Sequence, residues 1–208
     1  MENFETATAQ RLMILVKELL AESDVHRVLT LAIDRTITAT GAERGMIILF
    51  DAAGSILFET ARNLKGEAID HPEFEVSRTI IERARAAGKP LFLRNALEDP
   101  ALRKSPSTFR LKILSVICLP LLHEGKIFGV VYLDNRTVRG MFKPEVCEFA
   151  QSFAEFIALA AFHALERKQL RNHVQALEKE LRGRYDFSAI VGHDPKMVEI
   201  LKRVYRRD

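Results

Sequence analysis

The sequence predicts an α+β domain: a mainly antiparallel sheet of five or six strands, with helices before, within and after it. Three observations lead there. The chain begins and ends on apolar residues at helical spacing. Its middle holds two hairpin patterns. Its 208 residues, 48% hydrophobic and 28% charged, can bury an ample core without disulfides or metal.

The elements follow in order. Leu12, Leu15, Val16, Leu19 and Leu20 recur at helical spacing, with Arg11, Lys17 and Glu18 opposite, which predicts a helix over residues 6–21. Ser23 or Asp24 can cap a second helix, whose stripe is Val25, Val28, Leu29, Ala32, Ile33 and Ile37 and which Gly41 ends. Met46 to Phe50 reads as a buried strand, residues 51–55 as a turn, and Ile56 to Ala61 as the partner strand. Beyond a loop with Gly66 and Pro72, Ser77 is a suitable N-cap for a helix through Ala87, closed by Gly88.

Pro90 to Arg94 forms a short strand, and residues 95–110 a long connection of the kind that carries function. Ile113 to Leu122 and Ile127 to Leu133 make the clearest hairpin, with Gly129 marking a close backbone approach or a bulge. Asp134-Asn135 starts a polar loop, and Pro144 opens a helix that nothing interrupts until Gly183. At 1.5 Å per residue that helix is about 57 Å long. No single domain of this size buries such a helix throughout, so its second half is expected to protrude. That half carries Leu170, Val174, Leu177 and Leu181 at spacings of four, three and four, a coiled-coil seam of about two heptads. Carried backwards, the register puts Arg167 and His163 on the seam, so it shifts or frays there. Residues 187–192 read as extended, and Asp194-Pro195 as the start of a last helix through Arg206.

Charge and composition exclude several classes. Net charge is +3, and residues 166–208 hold 11 Lys/Arg against 7 Asp/Glu, which leaves residues 1–165 at −1. Those basic residues lie among acids on helical faces, the pattern of a solvated surface, so direct nucleic-acid binding by this chain is not expected. The longest apolar runs reach about ten residues against the roughly 20 of a membrane span. No signal peptide is visible, and two cysteines, Cys118 and Cys147, suit a reducing cytoplasm.

Neither Gly88-Lys89 nor Gly125-Lys126 has the upstream glycine and downstream hydroxyl of a phosphate-binding loop, so the chain is not itself an ATPase. His26, His71, His123, His163, His173 and His193 are scattered and make no zinc pattern. Cys118 sits mid-strand in an apolar run and Cys147 between Val146 and Glu148 with Phe149 beyond, which favours packing over nucleophilic chemistry.

Three stretches together resemble the GAF family of small-molecule sensor domains. They are Ser77-Arg78-Thr79-Ile80-Ile81 with Gly88-Lys89-Pro90; Ser115 to Leu121 with Gly125-Lys126 and Gly129 to Asn135; and Phe142 with the helix ending in Ala160, Ala161 and Ala164. A fourth, Phe187-Ser188-Ala189-Ile190-Val191-Gly192 with Met197 and Arg203, is similar to the entry of the AAA+ module in sigma-54-dependent transcriptional activators. His193-Asp194 departs from that pattern, since those proteins usually have a Ser one residue past the variable position. The resemblance implies an N-terminal helix at 1–22, a GAF sensor at 23–165, a helical coiled-coil linker at 166–184 and the start of an AAA+ module at 185–208. Asp208 precedes any nucleotide motif, so the chain is read as a regulatory fragment of an activator whose intact form is an ATPase.

The implied function is a homodimeric, cytoplasmic sensor that signals through its linker to an AAA+ ring and sigma-54 RNA polymerase, with no membrane contact. In the family, ligand lies between the sheet and the segment from the internal helix through the long loop. Arg94, Asn95, Asp99, Thr108, Ser115 and Asp134 are the polar residues that could converge there. The effector is not specified. Cyclic-nucleotide-binding members carry an acidic pair where this chain has Val146-Cys147, and neither cysteine suits bilin attachment. Asp99, Cys118 and Asp134 offer ligands for non-haem iron, but no spacing assembles them. The alternatives are a ligand-free dimerisation module and a redox enzyme on the same fold, such as a free methionine sulfoxide reductase.

Overall fold

A computed structural model describes residues 2–69, 78–100, 102 and 112–184, with side chains described from residue 9 to residue 181 of those stretches. Four helices and five strands lie among them: α1 Glu2–Ala21, α2 Val25–Thr40, β1 Arg44–Phe50, β2 Ile56–Asn63, α3 Arg78–Ala87, β3 Leu91–Leu93, β4 Ser115–His123, β5 Lys126–Asn135 and α4 Pro144–Arg184. Ser77, Thr108 and the elements expected over residues 187–206 fall outside the described residues.

Local chemistry explains the boundaries. Asp24 caps α2 by accepting from Arg27 N at 3.1 Å. Gly41 ends it in the left-handed region, φ 73°, with its N–H on the Ile37 carbonyl at 2.8 Å, a conformation that costs other residues a Cβ clash. Pro144 opens α4, where a missing N–H costs nothing.

The strands form one antiparallel sheet in the order β2-β1-β5-β4-β3. Gly129 serves both purposes expected of it. A Cβ there would lie 2.6 Å from the Ile48 carbonyl oxygen, and the register of β4 on β5 steps from Leu121–Gly129 to Leu122–Ile127, leaving Phe128 as the bulge.

Alternation along the strands gives the sheet two buried faces. Ile47, Leu49, Ile117, Leu119, Val131 and Leu133 pack against α1, α2 and the first part of α4. Met46, Ile48, Val116, Cys118, Val130 and Tyr132 face Ile80, Ile81 and Ala84 of α3, together with Ala96, Leu102 and Ile113. A run of buried alanines on α4, at 150, 154, 158, 160, 161 and 164, keeps that helix close to its neighbours, and Phe153 and Ile157 fill the space between.

Several element boundaries differ from the sequence reading by a few residues, α1 beginning at Glu2, β1 at Arg44 and β2 ending at Asn63 among them, and three further differences bear on the site and on α4. Asp134 and Asn135 belong to β5 rather than to a loop. β4 starts at Ser115, two residues later than expected. α4 continues through Gly183 to Arg184, because a lone glycine weakens a helix by only about 1 kcal/mol and ends it only when its backbone turns left-handed.

Candidate functional site

The end of β5 places two polar side chains on the α3 side of the sheet. Tyr132 and Asp134 are two residues apart on a strand and so share a face, and both are fully buried. The Tyr132 hydroxyl donates to Asp134 Oδ2 at 3.0 Å. Oδ1 accepts no hydrogen bond from the described residues, and its cation is Arg136 Nε at 3.7 Å. Arg44 lies beside Asp134 in the β1–β5 register, and Glu43 N donates to the Asp134 carbonyl at 3.1 Å. Burial pushes the Asp134 carboxyl up to about 6, against the pull of Arg136, the Tyr132 hydroxyl and Arg44. Burial, with Asp134 next to it, also holds the Tyr132 phenol well above its ordinary range, so it stays a donor.

Ser115 lies elsewhere. Its neighbour Val116 pairs with Asp134, while Ser115 pairs with Asn135, so its side chain takes the opposite face of β4. There Ser115 Oγ stands 3.0 Å from the Val138 carbonyl and 3.3 Å from that of Arg94, and accepts from Met141 N at 3.2 Å. The Arg94 carbonyl also accepts from Gly140 N at 2.9 Å, while the Arg94 side chain is exposed. Asn95 accepts from Leu97 N at 3.2 Å, as an Asx turn does. Arg94, Asn95 and Ser115 thus form a knot between the ends of β3, β4 and β5.

Asp99 is held by α3, with Arg83 Nη1 3.0 Å from each of its carboxylate oxygens. The candidates therefore separate into the Ser115 knot, the Asp99–Arg83 pair and the buried Asp134. Tyr132 and Arg83, the partners that give Asp134 and Asp99 their surroundings, are absent from the candidate set. The i, i+2 spacing of Tyr132 and Asp134 would have found the first once both were assigned to a strand.

Among the described residues no group of three or more His, Cys, Asp or Glu stands together as metal ligands do. Cys118 is fully buried, and burial pushes its thiol up to about 12. Burial and the neighbouring Glu145 and Glu148 raise the Cys147 thiol as well. Both shifts disfavour the thiolate, the form that acts as nucleophile or ligand.

The second candidate surface is α4. Leu170 is 64% exposed, Val174 45%, Leu177 46% and Leu181 56%, and these are the four residues expected on the seam. Further exposed apolar side chains lie at Phe156 and Leu159 of α4 and at Met13, Ile14 and Leu20 of α1. No described helix is long and apolar enough to cross a membrane.

This fold, with its five-stranded sheet and long closing helix, defines a class. The chain belongs to the GAF domain family, whose profile matches residues 24–161. Its sequence is 22% identical over 172 residues to the Nif-specific regulatory protein of Herbaspirillum seropedicae, covering 79% of this chain and 32% of that protein. It is 25% identical over 112 residues to hybrid signal transduction histidine kinase G of Dictyostelium discoideum, covering 50% of this chain and 3% of the kinase. The chain therefore spans a third or less of the curated relatives it matches.

Among solved structures, the GAF domain of a phosphoenolpyruvate-protein phosphotransferase from Coxiella burnetii superposes with a TM-score of 0.59 at 17% identity, over 78% of this chain and 96% of that one. Free methionine-R-sulfoxide reductase from Neisseria meningitidis superposes with a TM-score of 0.59 at 16% identity, over 76% and 90% of the two chains. At those identities the likeness is one of fold.

Proposed function

We propose that this chain is a regulatory GAF domain that dimerises through α4 and passes the state of its domain along that helix to an attached output. The observation that carries the reading is α4 itself. One unbroken helix of 41 residues packs Phe153, Ile157 and Ala161 into the core and then displays Leu170, Val174, Leu177 and Leu181 to solvent. A second copy of the chain would cover that stripe as a parallel coiled coil, with α1 beside it completing an intersubunit bundle. Regulation then works by a shift between helix arrangements, driven by whichever ligand binds one of them better.

The output we infer is a sigma-54-activating ATPase of the AAA+ class. The similarity to the Nif-specific regulatory protein supports this, because it covers 79% of the chain and so exceeds the stretch matched by the GAF profile. The segment Phe187 to Gly192 supports it too. We assign the effector site to the α3 side of the sheet, where Asp134 is the one buried acid among the described residues. Arg94, Asn95, Asp99, Thr108 and Ser115 are second-line candidates.

A second reading, a dimerisation module without ligand, is favoured by one observation. Tyr132, Met46, Ile80, Leu102 and Ile113 are each at most 2% exposed on that same side. A redox enzyme is disfavoured by the full burial of Cys118 within β4.

Native mass spectrometry of the purified chain, before and after mild denaturation, tests these readings. A dimer that releases a small molecule supports the sensor. A dimer of bare chain mass supports the ligand-free module. A monomer removes both.

A further inference from the structure

Three side chains of α4, within two helical turns, grip three different parts of the domain. Phe162 stacks on the His123 imidazole, with ring centroids 3.5 Å apart and planes at 14°, and takes Phe128 edge-on at 5.9 Å. Both partners belong to the closed end of the β4–β5 hairpin, where the bulge frees Phe128 from the ladder. Arg167 Nη2 donates to the Glu22 carbonyl at 3.1 Å, in the turn between α1 and α2. The Glu22 carboxylate braces the same turn by accepting from Ser23 N at 2.8 Å and Asp24 N at 3.1 Å. Lys168 Nζ stands 4.4 Å from the centre of the Phe58 ring on β2, and His26 of α2 meets that ring edge-on at 5.0 Å.

We propose that these contacts form a collar, and that movement of the two hairpins and the α1–α2 turn enters α4 there. The proposal rests on the reading of α4 as the signalling helix and names the residues that position it. Two features support it. The last buried alanine of α4 is Ala164 and the last side chain packed on the core is Leu165, so at Arg167 and Lys168 the helix is fastened by polar and ring contacts at its surface. Such contacts are individually weak and can exchange partners without unfolding the domain. The collar also accounts for the break in the apolar seam, because Arg167, which the seam register would turn toward a partner helix, is committed to the Glu22 carbonyl.

Hydrogen exchange of the whole chain, resolved by peptide, tests the proposal with three variants. His123→Ala, a change on the hairpin, is expected to speed exchange in residues 159–168 of α4 about threefold to tenfold, the scale of one lost ring pair. Exchange in residues 144–156 and in β1 should stay as in the wild type. His123→Phe keeps a ring on Phe162 and should restore wild-type exchange. Arg167→Gln should speed exchange in residues 22–25 as well as around residue 167. The collar is overturned if His123→Ala leaves residues 159–168 unchanged, if it speeds exchange uniformly over the domain, or if His123→Phe behaves like alanine. Sedimentation of the same samples reports the oligomeric state separately, so failure of the dimer reading shows there and not in the exchange pattern.

Discussion

The two parts of α4 are made from similar residues and do opposite things. Between Pro144 and Ala164 one face of the helix, Phe153, Ile157 and the alanines, is almost fully buried against the sheet, α1 and α2, while Phe156 and Leu159 stay exposed on the other. From Leu170 to Leu181 its four large apolar side chains are between 45% and 64% exposed. Burial of such side chains is worth about 1.5–3 kcal/mol each, so the first part stabilises the domain and the second has that free energy still to gain. An exposed stripe at heptad-like spacing is a surface suited to association. The difference teaches that apolar periodicity alone identifies a helix face, while the partner of that face is decided by what the fold has already covered.

The contrast can be sharpened by substitution. Phe153→Ala, in the buried part, should cost about 3–5 kcal/mol of unfolding free energy, read by urea denaturation. A loss below about 1 kcal/mol would show that α4 is not packed as described.

Asp134 gives the next effect. Its folded pKa of about 6 lies above the ordinary carboxyl value, so the ionised form disfavours the fold. Stability should be fully present below pH 4 and fall as the pH rises through about 6, a loss of about 3 kcal/mol at most. Asp134→Asn should remove that fall and leave the protein more stable than wild type at pH 8. A wild type whose stability is level between pH 4 and 7 would contradict the buried charge.

Ser115→Ala removes the hydroxyl that links the Val138 and Arg94 carbonyls to Met141 N and should cost about 1–3 kcal/mol, with no change in the fall that Asp134 produces up to about pH 6. A change in that pH dependence would instead place Ser115 with Asp134. Leu177→Asp, in the exposed part, should shift the stability of the isolated domain by no more than about 0.5 kcal/mol.

Much of this fold was legible in the sequence. Both hairpins, the Asp24 and Gly41 ends of α2, Gly129 and the long last helix follow from alternation, capping and helical period, which are local properties. The site was less legible because Asp134-Asn135 has the composition of a turn, and only the ladder on either side, β1 and β4, keeps it extended. Once Asp134 is in the strand, alternation separates it from Ser115, and the set of polar residues expected to converge divides. Gly183 misleads for a related reason. Glycine permits a helix to end without requiring it.

Sedimentation velocity of the wild-type chain and of Leu177→Asp tests the central claim most directly, that the exposed part of α4 is the surface by which two copies join. The account predicts a dimer for the wild type and a monomer for Leu177→Asp, with the two unfolding at the same temperature once separated. A monomeric wild type, or a variant that remains a dimer, would contradict it.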